Sequence, residues 1–207
     1  ALAAALRVEP LVVLALGPAT NVAAVVKLHP ELAGRIREVV AVAGRRPGQR
    51  FTAGAPGGPA FRDFNFEMDP AAFQTLLDSK VKLVFAPWEI SSKVWLTKRD
   101  VEDLAGRSAG MKWMLPLALD WLELWKKKFS APGFNPFDAM AVGYLTDRSA
   151  LECSAASMRI ERGPDDTGAG GEKPYLVARL GGQGRVVTYC HTPSPEFKSR
   201  LLRRLAR

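Results

Sequence analysis

The chain has 207 residues, 47% of them apolar, and a formal net charge of +8. That length and composition support one sizeable domain over residues 1–207 with its own core, and they exclude a disordered chain. No apolar run reaches the roughly 18 residues that would cross a bilayer, and the positive charges are scattered along the chain, which argues for solvated faces rather than a nucleic-acid surface.

Ala1 to Arg7 lacks the basic start and full apolar stretch of a signal peptide and reads as the tail of a helix leading into a strand. Leu11 to Leu16 is a continuous apolar run, which predicts a fully buried strand. It breaks at Gly17-Pro18, and Thr20 or Asn21 is expected to cap the helix that follows, with Val22, Val25 and Val26 facing inward. Glu38 to Ala43 predicts a second buried strand ending at Gly44. Arg45 to Pro59 is rich in Gly, Pro and Arg and reads as a long loop. Asp69-Pro70 predicts a helix start, with Asp at the N-cap and Pro at the first helical position, and Leu76 and Leu77 carry that helix to Asp78.

Val81 to Ala86 predicts a third buried strand, followed by Pro87-Trp88-Glu89. Ser92 or Thr97 can start the next helical section. Met111 to Phe129 is expected to be a long helix that Pro116 kinks or begins. Asp138 to Leu145 predicts another helix, directly after Asn135-Pro136-Phe137. Leu151–Arg162 and Tyr175–Tyr189 alternate as antiparallel strands do, joined by a Gly-rich loop, and Pro195 to Arg207 predicts a terminal helix. The order of elements implies an α/β fold: a mostly parallel, Rossmann-like sheet flanked by helices, with an antiparallel C-terminal hairpin. Cys153 and Cys190 have no metal-type spacing and read as thiols in a reducing compartment, with a disulfide as the minor alternative. A cytoplasmic location follows from that reading.

Four segments, taken in order, resemble the inosine-uridine-preferring nucleoside hydrolases. Leu14 to Asn21 is similar to that family's strand and Gly-Pro-Leu-Thr-Asn turn, and Ile36 to Gly44 to its strand ending in Met-Gly-Gly. Asp63-Phe64-Asn65 with Asp69-Pro70-Ala71-Ala72 looks like Glu-Phe-Asn followed by Asp-Pro-Glu-Ala, and Asn135-Pro136-Phe137-Asp138 like Asn-Pro-His-Asp. The resemblance implies hydrolysis of the N-glycosidic bond of a small-molecule ribonucleoside with the help of Ca²⁺, a hard cation able to gather carboxylates, a carbonyl, a water and ribose hydroxyls together. By position, Thr20 (through its carbonyl) and Asp138 would ligate the metal. Asn65 and Asp63 would meet the ribose, and Trp88 and Trp95 are candidates to stack on the base. A homo-oligomer is compatible with the resemblance; no nucleic-acid or membrane partner is implied.

Two departures from the family pattern carry expectations of their own. The family's opening Asp-x-Asp-x-x-x-Asp-Asp motif, which holds the general base and most metal carboxylates, is absent. The chain is therefore expected to be a fragment lacking the first strands, or to receive those residues from a partner chain, and to be poorly stable and weak as a catalyst alone. Phe137 stands where many members have a His that protonates the leaving base. A noncatalytic sugar- or nucleoside-binding module on the same scaffold is the competing reading.

Overall fold

The computed structural model describes residues 1–53, 58 and 60–207; the end of the expected 45–59 loop thus lies outside the described residues. The strands are β1 (Leu11–Ala15), β2 (Ile36–Ala41), β3 (Leu83–Phe85), β4 (Leu96–Thr97), β5 (Gly133–Phe134), β6 (Leu151–Pro164), β7 (Glu172–Arg179) and β8 (Arg185–Pro193). Among the described residues, six of them form one sheet in the order β1-β2-β3-β8-β6-β7, while β4 pairs with β5. β1, β2, β3 and β8 run parallel, and β6 lies antiparallel to both β8 and β7. The α-helices are α1 (Leu2–Val8), α2 (Thr20–Leu28), α3 (Phe64–Glu67), α4 (Pro70–Asp78), α5 (Trp88–Ser91), α6 (Lys98–Ala105), α7 (Ala109–Phe129), α8 (Phe137–Thr146) and α9 (Phe197–Leu205). This is the expected class: a mostly parallel sheet flanked by helices, with an antiparallel hairpin. The second half of that hairpin is two strands, because Gly181 and Gly184 turn the chain at positive φ between β7 and β8.

The inner strands β2 and β3 are buried on both faces, as central parallel strands require. Successive side chains of a strand point to opposite faces, so Val39 and Ala41 of β2 join one core while Val40 joins the other. The first core collects Val22 of α2, Phe73 and Leu76 of α4, Phe85, Met158 and Tyr189. The second collects Val84, Ile90, Met140 and Tyr144 of α8, Cys190 and Phe197. Local signals set several boundaries as expected. Asp69 accepts from the Ala72 amide at 3.0 Å and Pro70 opens α4. Thr97 and Asp100 close a capping box on α6.

Other expectations are corrected. β1 is an edge strand, paired only with β2 among the described residues, so Val12, Leu14 and Leu16 are exposed rather than fully buried. Neither Thr20 nor Asn21 caps α2. The N-cap position is Ala19, and the Thr20 hydroxyl donates instead to Asp69 at 2.6 Å, tying α2 to the start of α4. The cysteines are not free thiols. Cys153 on β6 stands directly opposite Cys190 on β8, their Cα atoms 3.9 Å apart, and the two form a disulfide. The register of two strands 37 residues apart in sequence makes that pairing, and the support that free thiols lent to a cytoplasmic location falls away. No helix is long and apolar enough to cross a membrane among the described residues.

Candidate active site

The carboxyl ends of three parallel strands converge on one cleft of about 630 Å³. Leu16 follows β1, Val42 and Ala43 follow β2, Trp88 follows β3, and all four line it. Ligand crevices of open α/β sheets lie at such strand ends. The structure brings four of the five sequence-derived candidates, Asp63, Asn65, Trp88 and Asp138, to this cleft. Thr20 is not among its lining residues; it sits exposed on α2 with its hydroxyl on Asp69.

Asp63 is buried at the base of the cleft. Its carboxylate accepts from the Gly44 amide at 2.7 Å and from the Phe66 amide at 3.4 Å, which caps α3. Gly44 reaches that position with φ +87°, a conformation an L side chain rarely adopts, and a Cβ there would stand 3.2 Å from the Met158 side chain. Burial outweighs these hydrogen bonds and the neighbouring Arg45 charge, and pushes the Asp63 carboxyl up to about 6. Asn65 spends its amide group on the scaffold. Nδ2 donates to the Val42 carbonyl at 2.8 Å and to the Leu16 carbonyl at 3.3 Å. Its Oδ1 makes no bond to a described residue, which leaves an acceptor on the cleft side chain.

Asp138 lies in the first turn of α8, whose N-cap position is Pro136, and its side chain caps nothing. Burial without a cationic neighbour holds its carboxyl above the ordinary range. Trp88 stacks on Phe51 with ring centroids 5.2 Å apart, and its Nε1 is buried with no partner among the described residues. Glu89, next to it, does not reach the cleft lining. Arg46 grips it through both carboxylate oxygens, Tyr189 donates to it at 3.1 Å, and Lys93 stands 3.9 Å away.

The opposite wall is aromatic and was not identified as such from the sequence. Trp121, Trp125 and Phe129 of α7 line it together with Phe61 and Phe137. Phe137 packs edge-on against Phe61 at 6.4 Å and against Trp125 at 5.9 Å, so the residue at the family's His position is part of an apolar cluster. The available signal was the four-residue spacing of Trp121, Trp125 and Phe129, which puts them on one helix face. Trp95, also a stacking candidate, packs on Trp125 at 6.1 Å and is not among the lining residues.

The donor set does not fit a Ca²⁺ ion by itself. Such an ion takes six to eight oxygens, and no cluster of three or more His, Cys, Asp or Glu side chains is placed to hold a metal among the described residues. Asp63 is engaged by two backbone amides, which leaves Asp138 as the free carboxylate of the cleft. The buried Asn135 Oδ1 lacks a partner, yet Asn135 is not among the lining residues.

The mostly parallel sheet thus carries, at its strand ends, a cleft walled by aromatic rings and floored by an amide and two carboxyls, the place where open α/β sheets bind their ligands. The family model described as inosine-uridine preferring nucleoside hydrolase matches residues 1–185, and the chain belongs to that family. The pyrimidine-specific ribonucleoside hydrolase RihA of Citrobacter koseri is 27% identical over 139 residues, 66% of this chain and 42% of that protein. The RihA of Salmonella newport is 30% identical over 94 residues, 45% of this chain and 28% of that protein. Among solved structures, the plant nucleoside hydrolase PpNRh1 enzyme superposes with a TM-score of 0.79 at 18% identity, covering 99% of this chain and 65% of that one. A purine-preferring ribonucleoside hydrolase from Gardnerella vaginalis gives 0.78 at 18% identity, covering 99% and 64%. The matched stretch is thus less than half of these curated relatives and just under two thirds of the solved chains.

Proposed function

We propose that residues 1–207 form part of a nucleoside-hydrolase domain and supply the base-stacking and ribose-facing walls of a site that cleaves the N-glycosidic bond of ribonucleosides. The observation that carries this is the meeting of Asn65, Asp138 and Trp88 in one cleft at the strand ends of a chain of this family. In this reading the base lies between Trp88 and the Trp121–Phe137 wall, whose ring faces suit a flat heterocycle. The Oδ1 of Asn65 and the Asp138 carboxylate accept hydrogen bonds from ribose hydroxyls. These acceptors favour the transition state where their bonds tighten as the sugar becomes oxocarbenium-like. Asp138 is suited to that task because no cation competes for it. The Phe137 ring gives no proton to the leaving base, so that proton comes from another group or from solvent.

The general base and the carboxylates that would complete a Ca²⁺ set are proposed to lie outside residues 1–207, on a further segment or a partner copy. Of the residues here, Asp138 would contribute from the cleft, while the Thr20 carbonyl, the other ligand the resemblance implies, lies outside the cleft lining; no chemical step is assigned to the ion. A homo-oligomer remains part of the proposal; a cytoplasmic location does not, because the two cysteines are joined in a disulfide. The shortage of clustered acidic side chains among the described residues favours a second reading, a nucleoside-binding module without catalysis.

Ribose release from a purine and pyrimidine nucleoside panel by the full gene product decides between them. Release that falls on the order of a hundredfold or more in Asp138→Ala supports the hydrolase. Nucleoside binding without any release supports the module, and release indifferent to Asp138→Ala and Asn65→Ala contradicts both.

A further inference from the structure

Breaking an N-glycosidic bond leaves the bonding electron pair on the base, so a donor placed at the base speeds its departure. Most donors that line the nucleoside cleft are already committed. Arg62 Nε is on Glu67 at 2.7 Å. Asn65 Nδ2 is divided between the Val42 and Leu16 carbonyls. Asp63 is held at the floor by the Gly44 and Phe66 amides. The indole N–H groups of the wall donate hydrogen bonds but keep their protons.

Lys128 is the exception. It lies in the last turn of α7 and lines the cleft together with Trp121, Leu124 and Trp125. Their spacing is that of one helix face, so Lys128 projects on the same side as the aromatic wall. Its ammonium stands 5.5 Å from the centroid of the Phe129 ring, and that ring is itself part of the lining. Phe129 packs on Trp125 at 5.2 Å and on Phe61 at 6.4 Å, the two rings that Phe137 also meets. The charge therefore rests on the wall against which the base is placed. Of its neighbours, Lys127 is paired with Glu123 at 3.8 Å and Lys126 does not line the cleft. Lys128 has no carboxylate partner among the described residues; the Phe129 ring is its one polar contact.

We propose that Lys128 is a catalytic residue that serves the leaving base, its ammonium donating to a ring nitrogen or carbonyl oxygen of the base as the C1′–N bond breaks. This rests on the hydrolase reading of the cleft. Both electrons of the bond pass to the base, and the Lys128 proton follows them. The oxygen of water bonds to C1′ and its proton goes to the general base, while the lysine amine regains a proton from solvent. A compact ammonium with three donors on a flexible stem can follow the polar edge of either a purine or a pyrimidine.

The test compares kcat/KM for inosine and uridine with kcat/KM for 4-nitrophenyl β-D-ribofuranoside, measured on the full gene product. The 4-nitrophenolate ion leaves without a proton, so that substrate bypasses the lysine. The ratio of the nucleoside value to the nitrophenyl value is expected to fall about a hundredfold in Lys128→Met. Lys128→Arg should restore part of it, because a guanidinium still donates hydrogen bonds. Lys128 is exposed, so thermal melts of both variants should match the wild type. A ratio that Lys128→Met leaves unchanged overturns the assignment, whether both rates fall together or neither falls. A wild type active on nucleosides with such an unchanged ratio removes this assignment alone. A wild type that releases ribose from none of these substrates overturns the hydrolase reading, and the assignment with it.

Discussion

Asn65 and Val42 are joined by a 2.8 Å hydrogen bond from the side-chain amide to the backbone carbonyl, at the point where β2 leaves the sheet. The same amide reaches the Leu16 carbonyl beyond β1, so one side chain ties the ends of two strands and fixes the floor between them. Asn65→Ala is expected to cost about 1–2 kcal/mol, read from urea melts. Asn65→Asp is expected to cost more, because it sets an anion against two carbonyl oxygens in place of a donor.

Asp63 gives the stability a pH dependence of known sign. Its folded carboxyl titrates near 6, above its ordinary value near 4, so the folded state holds the extra proton through that window. Its contribution therefore falls as pH rises from about 4 to 6 and is flat above, by roughly 2–3 kcal/mol in all. Groups with lowered values, such as Glu161 between Arg179 and Arg159, act in the opposite sense at lower pH. Melts at pH 4.5, 5.5 and 7 on the wild type and Asp63→Asn isolate the effect: the wild type loses stability across this range relative to the variant.

The two tryptophans of the α7 wall should behave differently. Trp125 is 4% exposed and packs on Trp95, Phe129 and Phe137, so Trp125→Ala opens a cavity worth about 3–5 kcal/mol. Trp121 is 46% exposed, and Trp121→Ala should cost about 1 kcal/mol or less while still weakening nucleoside binding. Thermal melts beside nucleoside titrations separate the two roles.

The Cys153–Cys190 bond closes a loop of 37 residues. Loss of that cross-link frees chain entropy in the unfolded state, so Cys153→Ala with Cys190→Ala is expected to destabilise by about 4 kcal/mol. Denaturation with and without a reductant checks it, and the double variant should be insensitive to the reductant.

What the sequence disclosed was local. Asp69-Pro70 and Thr97 announce helices because a cap and its target amide lie three residues apart. Asp63, Asn65 and Asp138 were found because short segments around them resemble family motifs, and Trp88 because it follows the third strand directly. The partners of Thr20 and Cys153 lie 49 and 37 residues away, where only the folded register brings them close. The apolar run of β1 reads the same at an edge as in the middle of a sheet. The spacing of Trp121, Trp125 and Phe129 defines a helix face, but not what that face looks upon, so the aromatic wall emerged only in three dimensions.

The most direct measurement is calorimetric binding of a ribonucleoside, its 2′,3′-dideoxy analogue and the free base to the wild type, Asn65→Ala and Asp138→Ala. The account predicts that the ribonucleoside binds tightest and that each substitution weakens it about tenfold while leaving the free base unchanged. A ribonucleoside that binds no better than its dideoxy analogue, or equally well to all three proteins, would contradict a sugar site at Asn65 and Asp138.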